Sequence, residues 1–222
     1  MFKEVQSLTK VFADWILPNY CFSCDKPHSN VYECLCNECR KCLSPAHGEN
    51  WIENLPNSSH LSSVFSGWYF NETLQSVIHE IKYNGFARSG MILGKIMGAE
   101  LINTVSRLDC LIPVPLHPVK KRERGFNQSE WIAKGIASHV NIPVELHLLK
   151  RVKYTQSQTT LSKKERNINM EDACKINQSK LYKIAGLMDD VLFNRYTEIF
   201  CVSVLIKNGF EHVIALFLAS PQ

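Results

Sequence analysis

Apolar and polar residues alternate along the chain in two distinct periods. Leu74, Val77, Ile78 and Ile81 recur at three- and four-residue steps and predict a helix that ends near Gly85. Ile92, Ile96, Met97 and Leu101 predict another over 89–105, and Trp131, Ile132 and Ile136 a third over 127–140. Between them, residues 64–70, 110–114, 144–148, 184–188 and 212–218 read as short strands, and 115–124 as a loop. A last helix over 198–207 stops at Gly209, a residue suited to the left-handed conformation beyond a helix end. Strands alternating with helices predict an α/β domain with a mainly parallel sheet.

At the amino terminus Phe2, Val5, Leu8, Val11, Phe12, Trp15 and Ile16 also keep helical spacing, and the pattern stops before Pro18. Glu4, Lys10 and Asp14 interrupt it, so it lacks the continuous apolar core of a secretory signal and is expected to pack against the rest of the protein. The apolar run 213–219 is far short of the ~20 residues that cross a bilayer. No membrane insertion is expected, and a cytoplasmic location is. A length of 222 residues, 45% of them hydrophobic and 21% charged, fits one domain plus a small module around a sizeable core.

Charge and cysteine are both unevenly placed. Between Lys120 and Arg166 eleven Lys and Arg face four Asp and Glu, whereas the remainder carries fourteen against seventeen. The middle of the chain is therefore a candidate surface for phosphate, or else an ordinary solvated face. Six of the nine cysteines fall between 21 and 42. Cys21 and Cys24, then Cys36 and Cys39, form two Cys-x-x-Cys knuckles, a spacing that closes around tetrahedral Zn²⁺ in a structural site. Cys34 or Cys42 could replace one member, although the set of two separate knuckles is preferred. Cys110, Cys174 and Cys201 stand among apolar residues as small core side chains.

In open α/β sheets ligands collect beyond the carboxyl ends of strands. Segments 113–128, 151–166 and 189–197 occupy such places or lie in the basic stretch. The Asp189-Asp190 pair can accept hydrogen bonds from vicinal ribose hydroxyls or hold Mg²⁺ through water, and the helix that follows can offer amides to phosphate. Lys120, Lys121, Arg122 and Arg124 sit beside Phe126, and Lys150, Arg151 and Lys153 beside Tyr154. Cations interleaved with rings suit single-stranded nucleic acid; alternatively Phe126 anchors the start of a helix in the core. His28, His47, His60 and His79 have no spacing that suggests a second metal.

Pro113-Val-Pro-Leu-His-Pro118 and Arg122-Glu-Arg-Gly-Phe-Asn-Gln128 resemble the signature of the ComF/GntX family. Arg151, Thr155, Gln158, Leu161, Arg166 and Asn169, together with Lys82-Tyr83 and the four-cysteine module, are similar to the same pattern. The resemblance implies a type I phosphoribosyltransferase-like parallel sheet with helices on both faces, preceded by a small amino-terminal zinc ribbon. The corresponding divisions are 1–45 for the helix and cysteine module, 46–63 for a linker and 64–222 for the α/β domain. It further implies binding of phosphoribosyl pyrophosphate with Mg²⁺, with Asp189 and Asp190 as the catalytic pair facing the ribose. Arg122, Arg124, Gly125, Asn127, Gln128, Arg195 and Thr197 would face the phosphates. Competence or DNA utilisation, with single-stranded DNA and a helicase-like competence protein as partners, is the role implied.

One segment departs from the family pattern. Where the family carries Thr-Thr-Gly-x-Thr to hold the 5′-phosphate, this chain has Phe193-Asn194-Arg195-Tyr196-Thr197. Arginine cannot reproduce the close backbone approach that glycine permits. The expectation is therefore a binding protein whose transferase chemistry is impaired. An active Mg²⁺-dependent phosphoribosyltransferase in nucleotide salvage or a related pathway is the alternative.

Overall fold

A computed structural model of the chain describes residues 19–28, 34–46, 61–152, 174–177, 182–192 and 195–221. Strands β1 (Asn19–Tyr20) and β2 (Pro27–His28) pair antiparallel ahead of helix α1 (Asn37–Lys41). Strand β3 (Ser63–Tyr69) leads into α2 (Glu72–Tyr83), α3 (Ala87–Glu100) and α4 (Ile102–Val105). Next come β4 (Cys110–Pro113), α5 (Pro118–Arg124) and α6 (Gln128–Val140), then the antiparallel pair β5 (Leu149–Arg151) and β6 (Cys174–Ile176). The chain finishes with β7 (Ile184–Val191), α7 (Arg195–Lys207) and β8 (His212–Ser220). The amphipathic amino-terminal pattern lies outside the described residues.

Four of the described strands form a parallel sheet in the order β3-β8-β7-β4. Side chains of its central residues divide between the two faces. Leu111, Met188, Leu216 and Leu218 enter one apolar cluster with α2, α3 and α6. Cys110, Ile112, Leu187, Ala215 and Phe217 enter a second cluster with α7, β5 and β6. Helices therefore cover both faces, as a buried parallel sheet requires.

After β4 the chain passes to the outer edge, where Val144 bridges Leu111, before returning to place β7 on the other side of β4. Strand order thus reverses between β4 and β7, and a crevice opens beyond their carboxyl ends. Their register, Pro113 against Met188, brings residue 189 and the chain after Pro113 to the same level.

The periodic helices and strands fall close to their expected positions, with four differences. The segment 115–124 contains α5 instead of a continuous loop. His117 caps it by accepting from the Val119 amide at 3.3 Å, Pro118 takes its first position, and Gly125 closes it at φ 82°. No residue of α5 is buried, so no apolar stripe betrayed it. The expected strand at 144–148 is reduced to the single Val144 bridge, with pairing resumed in β5. The long helix over 89–105 divides at Leu101. Helix α7 begins at Arg195, three residues before its apolar pattern.

Helices α3 and α6 approach through glycine. A Cβ on Gly94 would lie 2.2 Å from the Ile132 carbonyl oxygen, and one on Gly135 2.2 Å from that of Met91. Backbone on both sides leaves no flexible side chain to yield. Gly94→Ala should therefore force the helices apart and lower stability by about 1–3 kcal/mol. Urea unfolding of the variant against the wild type measures it, and an unchanged midpoint would contradict this packing.

Candidate functional site

The first strand-end carboxylate, Asp189, accepts a hydrogen bond from the Ser129 hydroxyl at 2.8 Å. Asp190 pairs with the Lys82 ammonium from the end of α2, and Gln128 Nε2 reaches its Oδ1 at 3.4 Å. Arg124 in turn donates to Gln128 Oε1. Glu198, in the first turn of α7, is 5% exposed and faces the same pair. Three carboxyl groups thus converge where the sheet ends.

The position of these partners follows from the run Arg122 to Gln128. Gly125 supplies the left-handed turn out of α5, and Phe126 packs against the core cluster on the helical face. Asn127 caps α6 by accepting from the Ser129 amide at 3.1 Å, while its Nδ2 donates to the Val114 carbonyl at 2.9 Å. That second bond ties the start of α6 to the end of β4. Gln128 and Ser129 are thereby fixed opposite the acids. Asn127 and Gly125 act in this structure as backbone devices, and Arg122 is exposed.

Burial, followed by the neighbouring Asp190 charge, raises Asp189 from its ordinary 3.8 to about 6, against the Ser129 hydrogen bond. Burial and the Asp189 charge push Glu198 well above the usual carboxylate range. A cavity of about 220 Å³ lies over the three acids and is lined also by Thr197. Lys82, Lys120, Arg124 and Arg151 complete its wall. Burial and the Arg151 and Arg124 charges lower the affinity of Lys120 for its proton. Carboxylates able to accept hydrogen bonds and cations able to meet anions thus share one cavity, with Lys82 and Asp190 in direct contact.

Arg195 opens α7 and Thr197 lines the cavity, but Phe193 and Asn194 lie outside the described residues, as do Tyr154 and the run Thr155 to Asn169. Of the two roles open to Phe126, it takes that of core anchor at the start of a helix. The sequence reading passed over Ser129 and Glu198 as site residues, and gave Lys82 no part in the site. Glu198 carried a signal, since an acid in the first turn of the helix after an acidic strand end points back toward it. A second surprise is that Cys174 and Cys201, read separately, are buried with their sulfurs 3.0 Å apart.

The other candidate centre is the cysteine group. The Sγ atoms of Cys21, Cys24, Cys36 and Cys39 all lie within 4.8 Å of one another, with Cys24 and Cys36 at 3.8 Å. Ligands about 2.3 Å from a tetrahedral ion are separated by about 3.8 Å, so the set fits a Zn²⁺-sized centre. The turn holding the first knuckle bonds the Asp25 amide to the Cys21 carbonyl at 2.9 Å with Asp25 at φ 55°. Cys36 occupies the N-cap position of α1 without a side-chain capping bond, and Cys39 lies within the helix. Although burial opposes it, amide donation from Cys36, Ser23 and Cys24 brings Cys21 down to about 6. Burial and the Cys24 thiol push Cys39 up to about 12. Cys34 is buried in the core and the Cys42 thiol turns to the Glu38 carbonyl, so neither joins the four.

Comparison with known proteins gives relatives in competence and DNA utilisation. Competence protein F of Haemophilus influenzae is 32% identical over 108 residues, 47% of this chain and 47% of that protein. DNA utilization protein YhgH of Escherichia coli K12 is 23% identical over 141 residues, 61% of this chain and 62% of the relative. YhgH of Salmonella typhimurium is 22% identical over 214 residues, 87% and 93% respectively. The chain thus spans about half the length of the first of these relatives and about three fifths of the second. No family model matches it.

The Asp189 environment sets a pH dependence. With its native value near 6 and its unfolded value near 3.8, the folded state holds the proton more tightly. The resulting destabilisation is fully present above pH 6 and is relieved as pH falls toward 4. Asp189→Asn, which cannot ionise, should be more stable than the wild type at pH 8 by about 1–3 kcal/mol, with the gain shrinking by pH 5. Urea titrations at the two pH values measure the difference; a gain independent of pH would contradict the assignment.

Proposed function

Because its relatives support a ComF-family protein, we propose that the chain serves competence or DNA utilisation by binding single-stranded DNA and a phosphorylated ribose. The observation that carries this reading is the cavity in which Asp189, Asp190 and Glu198 face Lys82, Lys120, Arg124 and Arg151. Its acids suit vicinal ribose hydroxyls and its cations suit phosphate or pyrophosphate. The position at a reversal of strand order is where α/β sheets place nucleotides. In this reading the α/β unit is phosphoribosyltransferase-like, and a helicase-like competence protein is its protein partner in the cytoplasm.

Binding, not transfer, is the activity proposed. The family pattern has glycine where Arg195 starts α7, and only Thr197 of its phosphate-holding hydroxyls remains. Mg²⁺, arriving with a pyrophosphate-bearing ligand, would be taken by Asp189, Asp190 and Glu198, whose oxygens are the donors this ion prefers. The alternative, an active Mg²⁺-dependent transferase, draws on the intact acid pair and the buried Thr197.

Calorimetry with phosphoribosyl pyrophosphate and Mg²⁺, and anisotropy with a labelled single-stranded oligonucleotide, test the proposal together. Mg²⁺-dependent binding lost in Asp189→Asn, salt-sensitive oligonucleotide binding and no pyrophosphate release on adding a nucleobase are the expected results. Pyrophosphate release would establish the transferase instead, and absence of both kinds of binding would overturn the reading.

The cysteine module is proposed to hold structural Zn²⁺, since four thiolates leave no open coordination position. Purified protein should carry about one zinc per chain by elemental analysis. Cys24→Ser or Cys36→Ser should lose the metal and lower the melting temperature, because binding the ion and ordering the module are one process. Retention of a full equivalent by either variant would count against the site.

A further inference from the structure

The end of α2 presents aromatic surface that the acidic cavity does not use. Tyr83 is 68% exposed and Phe86, just past the turn at Gly85, is 46% exposed. Three residues apart, their Cα atoms are separated by no more than about 11 Å. All four residues from Tyr83 to Phe86 are exposed, so the two rings lie on one continuous stretch of open surface.

Each ring is tied to one of the two candidate centres. Tyr83 follows Lys82, the ion-pair partner of Asp190, and the Arg124 guanidinium lies 5.7 Å from its ring centroid. His79 tilts against it at 4.9 Å and holds the ring from the helix side. Phe86 packs on Phe22 of the first cysteine knuckle at 4.8 Å between centroids. Each ring thus rests against a neighbouring ring and stays exposed, with the Arg124 cation over that of Tyr83.

We propose that Tyr83 and Phe86 form a stacking platform for unpaired bases of a single DNA strand, running from the cysteine module to the acidic cavity. The proposal rests on the single-strand reading above and assigns it a surface. Rings accept any base by its face, so the platform is tolerant of sequence, and Arg124 beside Tyr83 adds a charge for the flanking phosphate. In duplex DNA base faces are covered by their neighbours, so a duplex cannot use it. The earlier candidates for this role differ: Phe126 belongs to the core, and Tyr154 lies outside the described residues.

Tyr83→Ala, Tyr83→Phe and Phe86→Ala in the full chain test this by anisotropy with labelled oligothymidylate. Tyr83→Ala should weaken binding about 5- to 100-fold, with zinc content and melting temperature unchanged, while Tyr83→Phe should bind as the wild type does. A 5-iodouracil oligonucleotide should photocrosslink at residue 83 or 86 in the wild type, and duplex competitor should not displace it. Wild-type affinity in both Tyr83→Ala and Phe86→Ala, or equal losses in Tyr83→Ala and Tyr83→Phe, would overturn the platform while leaving DNA binding intact. A wild-type protein that binds no oligonucleotide would overturn both the platform and the reading beneath it.

Discussion

Three carboxyl groups brought together at the buried end of a parallel sheet impose the strictest condition on this molecule. Removing an ion from water costs several kcal/mol unless partners replace the lost hydration. Here the replacements come from separate elements: Lys82 from α2, Gln128 and Ser129 from α6, and Arg124 from α5 acting through Gln128. The acids therefore bind together parts of the chain about sixty to a hundred residues distant in sequence. What the partners do not offset remains as the raised proton affinity of Asp189 and Glu198.

Such an arrangement needs the donor-bearing helices held to fractions of an ångström. The close passage of Gly94 over Ile132 and Gly135 over Met91 fixes α6 against α3, and the Asn127 bond to the Val114 carbonyl fixes its first turn against β4. Phe126 adds an apolar anchor between them. The signature run Arg122 to Gln128 thus acts largely as a positioning device, in which only Arg124 and Gln128 contribute side chains to the cavity.

Elements with a strong apolar period were legible in the sequence. Leu74, Val77, Ile78 and Ile81 are all buried in α2, and Cys110 to Pro113 forms a fully buried strand. Helix α5 was not, because it is specified by caps at His117 and Gly125 and has no buried face. The two cysteine knuckles were legible because metal ligation requires local spacing. Lys82 against Asp190 was not, since the contact is made by tertiary packing across more than a hundred residues. Local chemistry leaves a sequence signature; partners supplied by packing leave one only where their own helix position hints at a direction, as with Glu198.

The cysteine module is built into this scheme through α2. Cys21, Cys34, Leu35 and Leu43 share one apolar cluster with Leu74 and Val77, and Ser23 meets Thr73 at 3.2 Å. Asn71 both caps α2 by accepting from the Leu74 amide and donates to the Cys42 carbonyl at 2.7 Å. The start of α2 is therefore defined partly by the module, and its end delivers Lys82 to Asp190. A rod of twelve residues with no internal Gly or Pro does not absorb a displacement at one end by bending. The small module and the acidic cavity therefore share one helix, the first packed at its start and the second paired at its end.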